Sequence, residues 1–261
     1  MNIIVFLKMV PDVVEELRVA SDCKSLDTEW IRMKLNECDE NAVEEAVILK
    51  SKYGGTVTVV ALDAPELDDA LYNALAKGAD KAVKITGDWQ SERSPAIADI
   101  YAKYLSDNNL IDSQTIIMSG SQAIDDIEGE MIYYLADMLV LPVFGVVTHV
   151  DYNASQNKIT LLKEFSAGIR GQFESDLPIA VGIQAAENPP RYIPIAKIRA
   201  VMKTASIDEV DIQPDGKHHP VEIGRMYEHE TSGKAVMIEG STEDITQKII
   251  DIFIEKGIII K

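Results

Sequence analysis

Residues 115–142 constrain this chain more than any other stretch. Thr115-Ile116-Ile117-Met118 is an apolar run that reads as a buried strand. Ser119-Gly120-Ser121-Gln122-Ala123-Ile124-Asp125-Asp126 follows as a small-residue turn. Met131, Tyr134, Leu135, Met138 and Leu139 then recur at helical spacing. A parallel strand that ends in such a turn and opens a helix leaves free backbone N–H groups at the strand's carboxyl end. Open α/β sheets bind nucleotides there. A second unusual segment accompanies it, Asn188-Pro189-Pro190-Arg191-Tyr192-Ile193-Pro194-Ile195.

The order of elements supports a parallel sheet. Asn2–Leu7 is a continuous apolar strand. Ser25–Leu35 is irregular and holds Trp30. A helix is predicted from about Asp39 to Lys52, with Ala42, Val43, Ala46, Val47 and Leu49 on its apolar face and Glu40, Glu44 and Glu45 on its wet side or early turns. Thr56–Leu62 is a β-branched strand. The stripe Leu67, Ala70, Leu71, Ala74, Leu75 is a helix closed by Gly78. Lys81–Ile85 is a short strand, and Ser94-Pro95 opens a helix through Tyr104. This βαβα alternation predicts an α/β fold, a doubly wound and mostly parallel sheet with helices on both faces.

After Pro142 the pattern changes. Val143–Val150 and Lys158–Phe165 are expected to form an added β-hairpin across the polar turn Asp151–Asn157. Pro178–Ile183 reads as another buried strand, and Lys197–Lys203 as a short basic helix. Residues 1–204 thus read as one core, and 205–261 as a linker with a C-terminal arm. In that arm Ala235–Ile238 is strand-like. Ser241 and Asp244 form a capping-box pattern before the stripe Ile245, Ile249, Ile252, Phe253. A lone amphipathic unit beyond a linker must bury its stripe by folding back or by docking on another chain.

Composition excludes several roles. Acidic residues outnumber basic ones 43 to 25, and a net charge of −18 disfavours nucleic acid and anionic membranes. No apolar run has the length of a membrane span. Two cysteines without a CxxC spacing, Cys23 and Cys38, fit a reducing cytoplasm. The four histidines, His149, His218, His219 and His229, lack zinc-ligand spacing. There is no GxSxG, HExxH, Walker A or GxGxxG motif. Asp125-Asp126 can be read as a catalytic or metal-binding acid pair, but the preferred reading is that Asp125 holds the loop by accepting backbone N–H bonds, as acids at helix starts do. A nucleotide-type fold without catalytic groups points to binding and positioning.

The chain resembles the β (small) subunit of electron transfer flavoproteins. The matching segments are Leu7–Asp12 (LKMVPD), Asn36–Glu45 (NECDENAVEE), Ala74–Asp80 (ALAKGAD), Gly120–Asp126 (GSQAIDD), Leu141-Pro142, and Leu177 through Met202. Met226-Tyr227 and Gly233–Gly240 are similar to methylotroph-type members. The resemblance implies an adenine-nucleotide-binding, HUP-like core and a non-catalytic electron carrier. It implies a heterodimer with an α-subunit whose mobile domain carries the redox FAD. It further implies a flavin-containing dehydrogenase as electron donor and another oxidoreductase as acceptor. In simple members the β-subunit holds a structural AMP. In bifurcating members a second FAD takes that place and receives hydride from NADH.

Carried onto this sequence, the nucleotide site implied by the resemblance is Phe6, Asn36, Glu37, Cys38, Asp39, Leu62, Gly120, Ser121, Gln122, Ala123, Ile124, Asp125, Asp126, Gly129, Glu130 and Met131. The recognition loop is about Ile183–Ala205, with Arg191, Tyr192 and the anchor Ile195. Arg170 replaces a family glutamate that helps set the flavin-domain position. Other departures are Gly129-Glu130-Met131, where the family carries a polar trio, Asp63 in place of a glycine, and Phe6 where a small residue lies near the adenine. Acids beside a phosphate repel it, so AMP is expected to be absent or held by backbone groups. An adenine-nucleotide hydrolase or synthetase on a related sheet is the rival of another class. It calls for a glycine-rich loop after the first strand, where this chain has Leu7–Asp12. A stress-type nucleotide-binding module leaves the proline-rich segment unexplained.

Overall fold

The structure, a computed structural model, describes residues 1–89, 92–212, 223–228 and 235–258. They form two compact units, Met1–Arg225 and Met226–Lys261. Strands β1 (Asn2–Leu7), β4 (Thr56–Leu62), β5 (Lys81–Thr86), β6 (Thr115–Gly120) and β10 (Ile179–Ile183) are parallel, as are β7 (Val143–Asn153) beside β10 and β11 (Asp208–Asp211) beside β5. With β8 (Lys158–Glu164) and β9 (Arg170–Asp176) they make a nine-stranded sheet in the order β11-β5-β4-β1-β6-β10-β7-β8-β9. A two-stranded ribbon, β2 (Met9–Pro11) with β3 (Met33–Leu35), lies outside it.

The period of two in β1 divides the core. Ile3, Val5 and Leu7 pack with Ala42, Val43, Leu71 and Ala74 of helices α1 (Glu37–Tyr53) and α2 (Leu67–Lys77). Ile4 and Phe6 pack on the opposite face with Ile100, Tyr101, Ile132 and Leu135 of α3 (Ser94–Asp107) and α4 (Met131–Leu139). A strand buried on both faces reads as a continuous apolar run, as β1 does. β1 lies between β4 and β6, so the chain winds one way through β4 and β5 and the other way from β6. The topological switch point therefore falls between the carboxyl ends of β1 and β6, as the doubly wound reading requires.

Several local expectations need correction. Ser119 and Gly120 belong to β6, so the turn begins at Ser121. The hairpin is a three-stranded meander, because β9 adds antiparallel to β8. Its sequence, RGQFESD, carries one large apolar residue and gave no hydrophobic alternation to read. The stretch read as linker from residue 205 contains β11, a four-residue acidic edge strand whose Glu209 pairs with Lys84 at 3.0 Å. Helix α5 spans Ile195–Val201 and starts two residues before Lys197. Ala235–Ile238 forms no strand. Glu44 and Glu45 are not on a wet face: both are buried.

In the second unit α6 (Thr242–Glu255) begins with the expected reciprocal cap. Ser241 Oγ accepts from the Asp244 N–H, and the Asp244 carboxylate accepts from the Ser241 N–H. Ile249, Ile252 and Phe253 of its stripe are exposed. No helix among the described residues is long and apolar enough to cross a membrane.

Candidate functional site

The first turn of α1 holds the switch point together. Asp39, buried, accepts the Lys8 N–H at 2.9 Å and the Gly120 N–H at 2.5 Å. One carboxylate thus ties the residue after β1 to the last residue of β6. Asn36 Nδ2 donates to the Gln122 carbonyl at 2.9 Å and fixes the start of the next loop. Burial pushes the Asp39 carboxyl up to about 6, against the two N–H bonds that pull it down. Gly120 is obligatory on steric grounds. A Cβ there would stand 2.6 Å from Asp39 Oδ1 and 2.7 Å from the Cys38 Cβ. The Cys38 thiol is half-buried and raised in pKa, chiefly by desolvation. Glu37 points to solvent.

The 121–130 loop is closed by its own groups. Ser121 N–H donates to the Ile183 carbonyl at 2.7 Å, and Ala123 and Asp126 exchange backbone bonds at 3.1 and 3.0 Å. Asp125 pairs with Lys8 Nζ at 2.8 Å, and Ser94 Oγ donates to Asp126. The expected backbone N–H bonds to the Asp125 carboxylate are not what holds the loop: its partner is the Lys8 ammonium, and Asp126 accepts the Ser94 hydroxyl. Gly129 is buried with φ of 64°, and a Cβ there would meet the Ser121 carbonyl oxygen at 2.2 Å. Glu130 precedes α4 as its cap residue and is exposed, while Met131 is half-buried. Ile124 is exposed, and Gln122 faces solvent.

On the α3/α4 side of the sheet, Phe6 is 1% exposed and stacks on Tyr101, ring centroids 4.0 Å apart. Leu62 and Asp63, at the end of β4, are half-buried. Phe6, Leu62 and the start of α4 share the α3/α4 side of the sheet; Asn36 and Asp39 approach from α1.

The second half of α1 serves a different loop. Glu44 accepts Arg191 Nε at 2.9 Å, Arg191 Nη2 at 2.7 Å and the Arg191 N–H at 3.0 Å. Glu45 accepts the Val150 N–H of β7 at 2.7 Å and the Glu187 N–H at 2.9 Å. Desolvation raises the Glu45 pKa. Asn41 Oδ1 accepts the Ala186 N–H at 3.2 Å, and Lys52 pairs with Glu187 at 2.7 Å. His149 Nδ1, which has no hydrogen-bond partner, lies 3.6 Å from Glu45. The 184–194 loop is thus bolted to α1 from beneath. Ile193 is buried, while Tyr192 is 83% and Ile195 62% exposed. Arg191 is a bolt of this loop; Tyr192 and Ile195 are its free tip. Arg170 stands at the far edge of the meander, paired with Glu164 at 2.8 Å. The adjoining turn exposes Phe165 and Ile169.

With this geometry in place, the relatives are informative. The model of the electron transfer flavoprotein domain matches residues 25–215. The chain is 29% identical over 267 residues to the electron transfer flavoprotein subunit beta of Methylophilus methylotrophus, covering 98% of each. It is 28% identical over 257 residues to the subunit beta of Clostridium acetobutylicum, covering 96% of each. It is 32% identical over 222 residues to the mitochondrial subunit beta of Oryza sativa subsp. japonica, covering 82% of this chain and 86% of that protein. The chain belongs to the electron transfer flavoprotein family. Its place is among the β-subunits, and its role is electron transfer.

An electron transfer flavoprotein β-subunit implies an adenine nucleotide at the switch point, and the donor set here fits one poorly. Lys8 is committed to Asp125, Ser94 to Asp126, and Glu130 and Asp63 add carboxylates. What remains for an anion is the N-terminal backbone of α4. Glu44, Glu45, Tyr101 and Ser94 are the site residues that sequence reasoning missed. No clear sequence signal marked the two glutamates; the structure shows them on a helix whose residues 42–49 are buried throughout. His149 is described here, whereas His218, His219 and His229 lie outside the described residues. Among the described residues no group of three or more His, Cys, Asp or Glu could hold a metal ion.

Proposed function

We propose that this chain is the β-subunit of a heterodimeric electron transfer flavoprotein. Its α-subunit carries the redox FAD, accepts electrons from a flavin-containing dehydrogenase and delivers them to another oxidoreductase. The observation that carries the reading is the bolted loop. Glu44 and Glu45 are buried acids whose oxygens are all spent on residues 150–191, and the loop they hold ends in the exposed Tyr192 and Ile195. An exposed aromatic and aliphatic pair on a rigid base is the form of an interface anchor. When bound in the α-subunit, FAD supplies the one-electron chemistry. This chain orients the partners and carries none of the reaction itself.

Three surfaces divide the work. The tip at Tyr192 and Ile195 engages the dehydrogenase. The meander edge, with Phe165, Ile169 and Arg170, faces the mobile flavin domain. The stripe Ile245, Ile249, Ile252 and Phe253 of the C-terminal arm docks on the α-subunit. Such a stripe is stable only when covered. The setting is the cytoplasm.

Co-expression with the cognate α-subunit tests the reading. The expected product is a one-to-one heterodimer whose flavin is reduced by the dehydrogenase, while the chain expressed alone is poorly soluble or free of redox flavin. A well-behaved monomer that binds FAD tightly by itself would contradict it.

A further inference from the structure

The carboxyl end of a central parallel strand is where a doubly wound sheet receives its ligand, and here that end is built shut. Phe6, the next-to-last residue of β1, turns its ring to the α3/α4 side. It lies against Tyr101 at an interplanar angle of 25° and a centroid distance of 4.0 Å. Tyr101 is itself buried, and its hydroxyl donates to the Leu7 carbonyl at 3.4 Å. The two rings form a stacked pair on the face of the sheet that α3 and α4 cover, packed among Ile4, Ile132 and Leu135. A protein interior leaves no unclaimed space beside such a pair. On the β-subunit reading, in which residue 6 lies beside the adenine, a planar aromatic group already occupies the place of the base.

The loop above is closed in the same way. A phosphate-ordering loop keeps cations and N–H groups facing a common point. In this chain the Lys8 ammonium is held by Asp125 and the Ser94 hydroxyl by Asp126, while Ala123 and Asp126 satisfy each other. These contacts engage the cation, the hydroxyl and the loop backbone within the chain itself.

Resting on the β-subunit reading above, we infer that Phe6 and Tyr101 are a built-in plug, so that this subunit folds without an adenine nucleotide. The ring stack stands in for the base. The Lys8–Asp125 and Ser94–Asp126 pairs stand in for the phosphate contacts.

The test is the nucleotide content of the purified heterodimer, released by denaturation and quantified by chromatography, together with Phe6→Ala. The wild type is expected to release one FAD and no AMP. Phe6→Ala removes the ring, lowers the melting temperature by roughly 6–20 °C, and gains AMP binding. AMP at about a hundredfold its dissociation constant then restores roughly 5–10 °C in the variant and leaves the wild type unmoved. If Phe6→Ala fails to fold, Phe6→Leu opens a smaller space with the same expected gain. One AMP per wild-type heterodimer overturns the plug and leaves the β-subunit reading intact. Two FAD per heterodimer, one of them reducible by NADH, overturn it in favour of a bifurcating subunit. Folded variants that bind AMP no better than wild type show that the ring is not what excludes it, which also overturns the plug. A chain that recruits neither an α-subunit nor FAD overturns the reading beneath it, and the assignment with it.

Discussion

Two loops leave the carboxyl edge of the same sheet, and α1 secures both by opposite designs. The 121–130 loop turns inward. Its acids are spent on Lys8 and Ser94, its backbone pairs with itself, and Asp39 and Asn36 lock its root. The 184–194 loop turns outward. Its backbone is drawn down onto Asn41, Glu44 and Glu45, which leaves Tyr192 and Ile195 standing proud. The difference shows that one helix can close one site and present another. What matters is whether the polar groups of the loop are met by the loop itself or by the scaffold.

If that contrast is right, the largest loss comes from drawing the bolt. Arg191→Ala strips the buried Glu44 carboxylate of its guanidinium and leaves it only the backbone N–H of residue 191, at a cost of about 3–5 kcal/mol. The heterodimer's melting temperature reports it, and adding Glu44→Gln recovers part of the loss. An unchanged melting temperature would mean that the outward loop does not depend on its scaffold.

Next in size is the pH response of the inward clamp. Asp39 has a folded pKa of about 6 against an ordinary 3.8. The folded state therefore holds the proton more tightly than the unfolded chain. This group favours folding at the acid end and loses that contribution as pH rises through about 6. The stability of wild type relative to Asp39→Asn should fall by up to about 3 kcal/mol between pH 4 and pH 6–7, then level off. Parallel urea titrations across that window measure it. A constant difference would place the proton elsewhere.

Smaller still is the tip. Ile195→Ala leaves fold and heterodimer intact, since the side chain packs little on its own chain, and weakens the dehydrogenase contact by about 1–2 kcal/mol. The rate of flavin reduction at limiting dehydrogenase reads the change. Last comes Glu130→Gln at the surface of the inward loop. It should alter stability by less than about 0.5 kcal/mol and leave the AMP content of the heterodimer where it was. A gain of AMP in that variant would assign the closure of the site to charge instead of to the Phe6 ring.

Most of the parallel core was legible because its strands are apolar on both faces and its helices are striped. β1 and β10 are almost wholly apolar, β4 and β6 carry the apolar runs Val59–Leu62 and Ile116–Met118, and Gly78 closes α2 as capping rules require. β9 and β11 were not legible. Both lie at sheet edges and are rich in charge, and what makes them strands is the neighbour they pair with. The acids of α1 misled for a related reason. A glutamate among apolar residues is ordinarily a solvated one, and only the tertiary structure supplies the N–H groups that Glu45 accepts. Phe6 was recognisable as an oddity of size, but the ring that meets it, Tyr101, lies 95 positions away in the sequence.

The polar side chains of α1 also impose a rule on length. Asp39 grips the strand ends, and Glu44 and Glu45 grip Arg191 and Val150 little more than a turn later. Each added residue in an α-helix rotates everything after it by about 100°. A single insertion between Asp39 and Glu44 would swing both glutamates away from their donors, even though every residue of the original sequence were retained. Residues 39–45 are in this sense a ruler: they admit no change of count, and even the partly exposed Glu40 is held in place as the ion-pair partner of the buried Lys77.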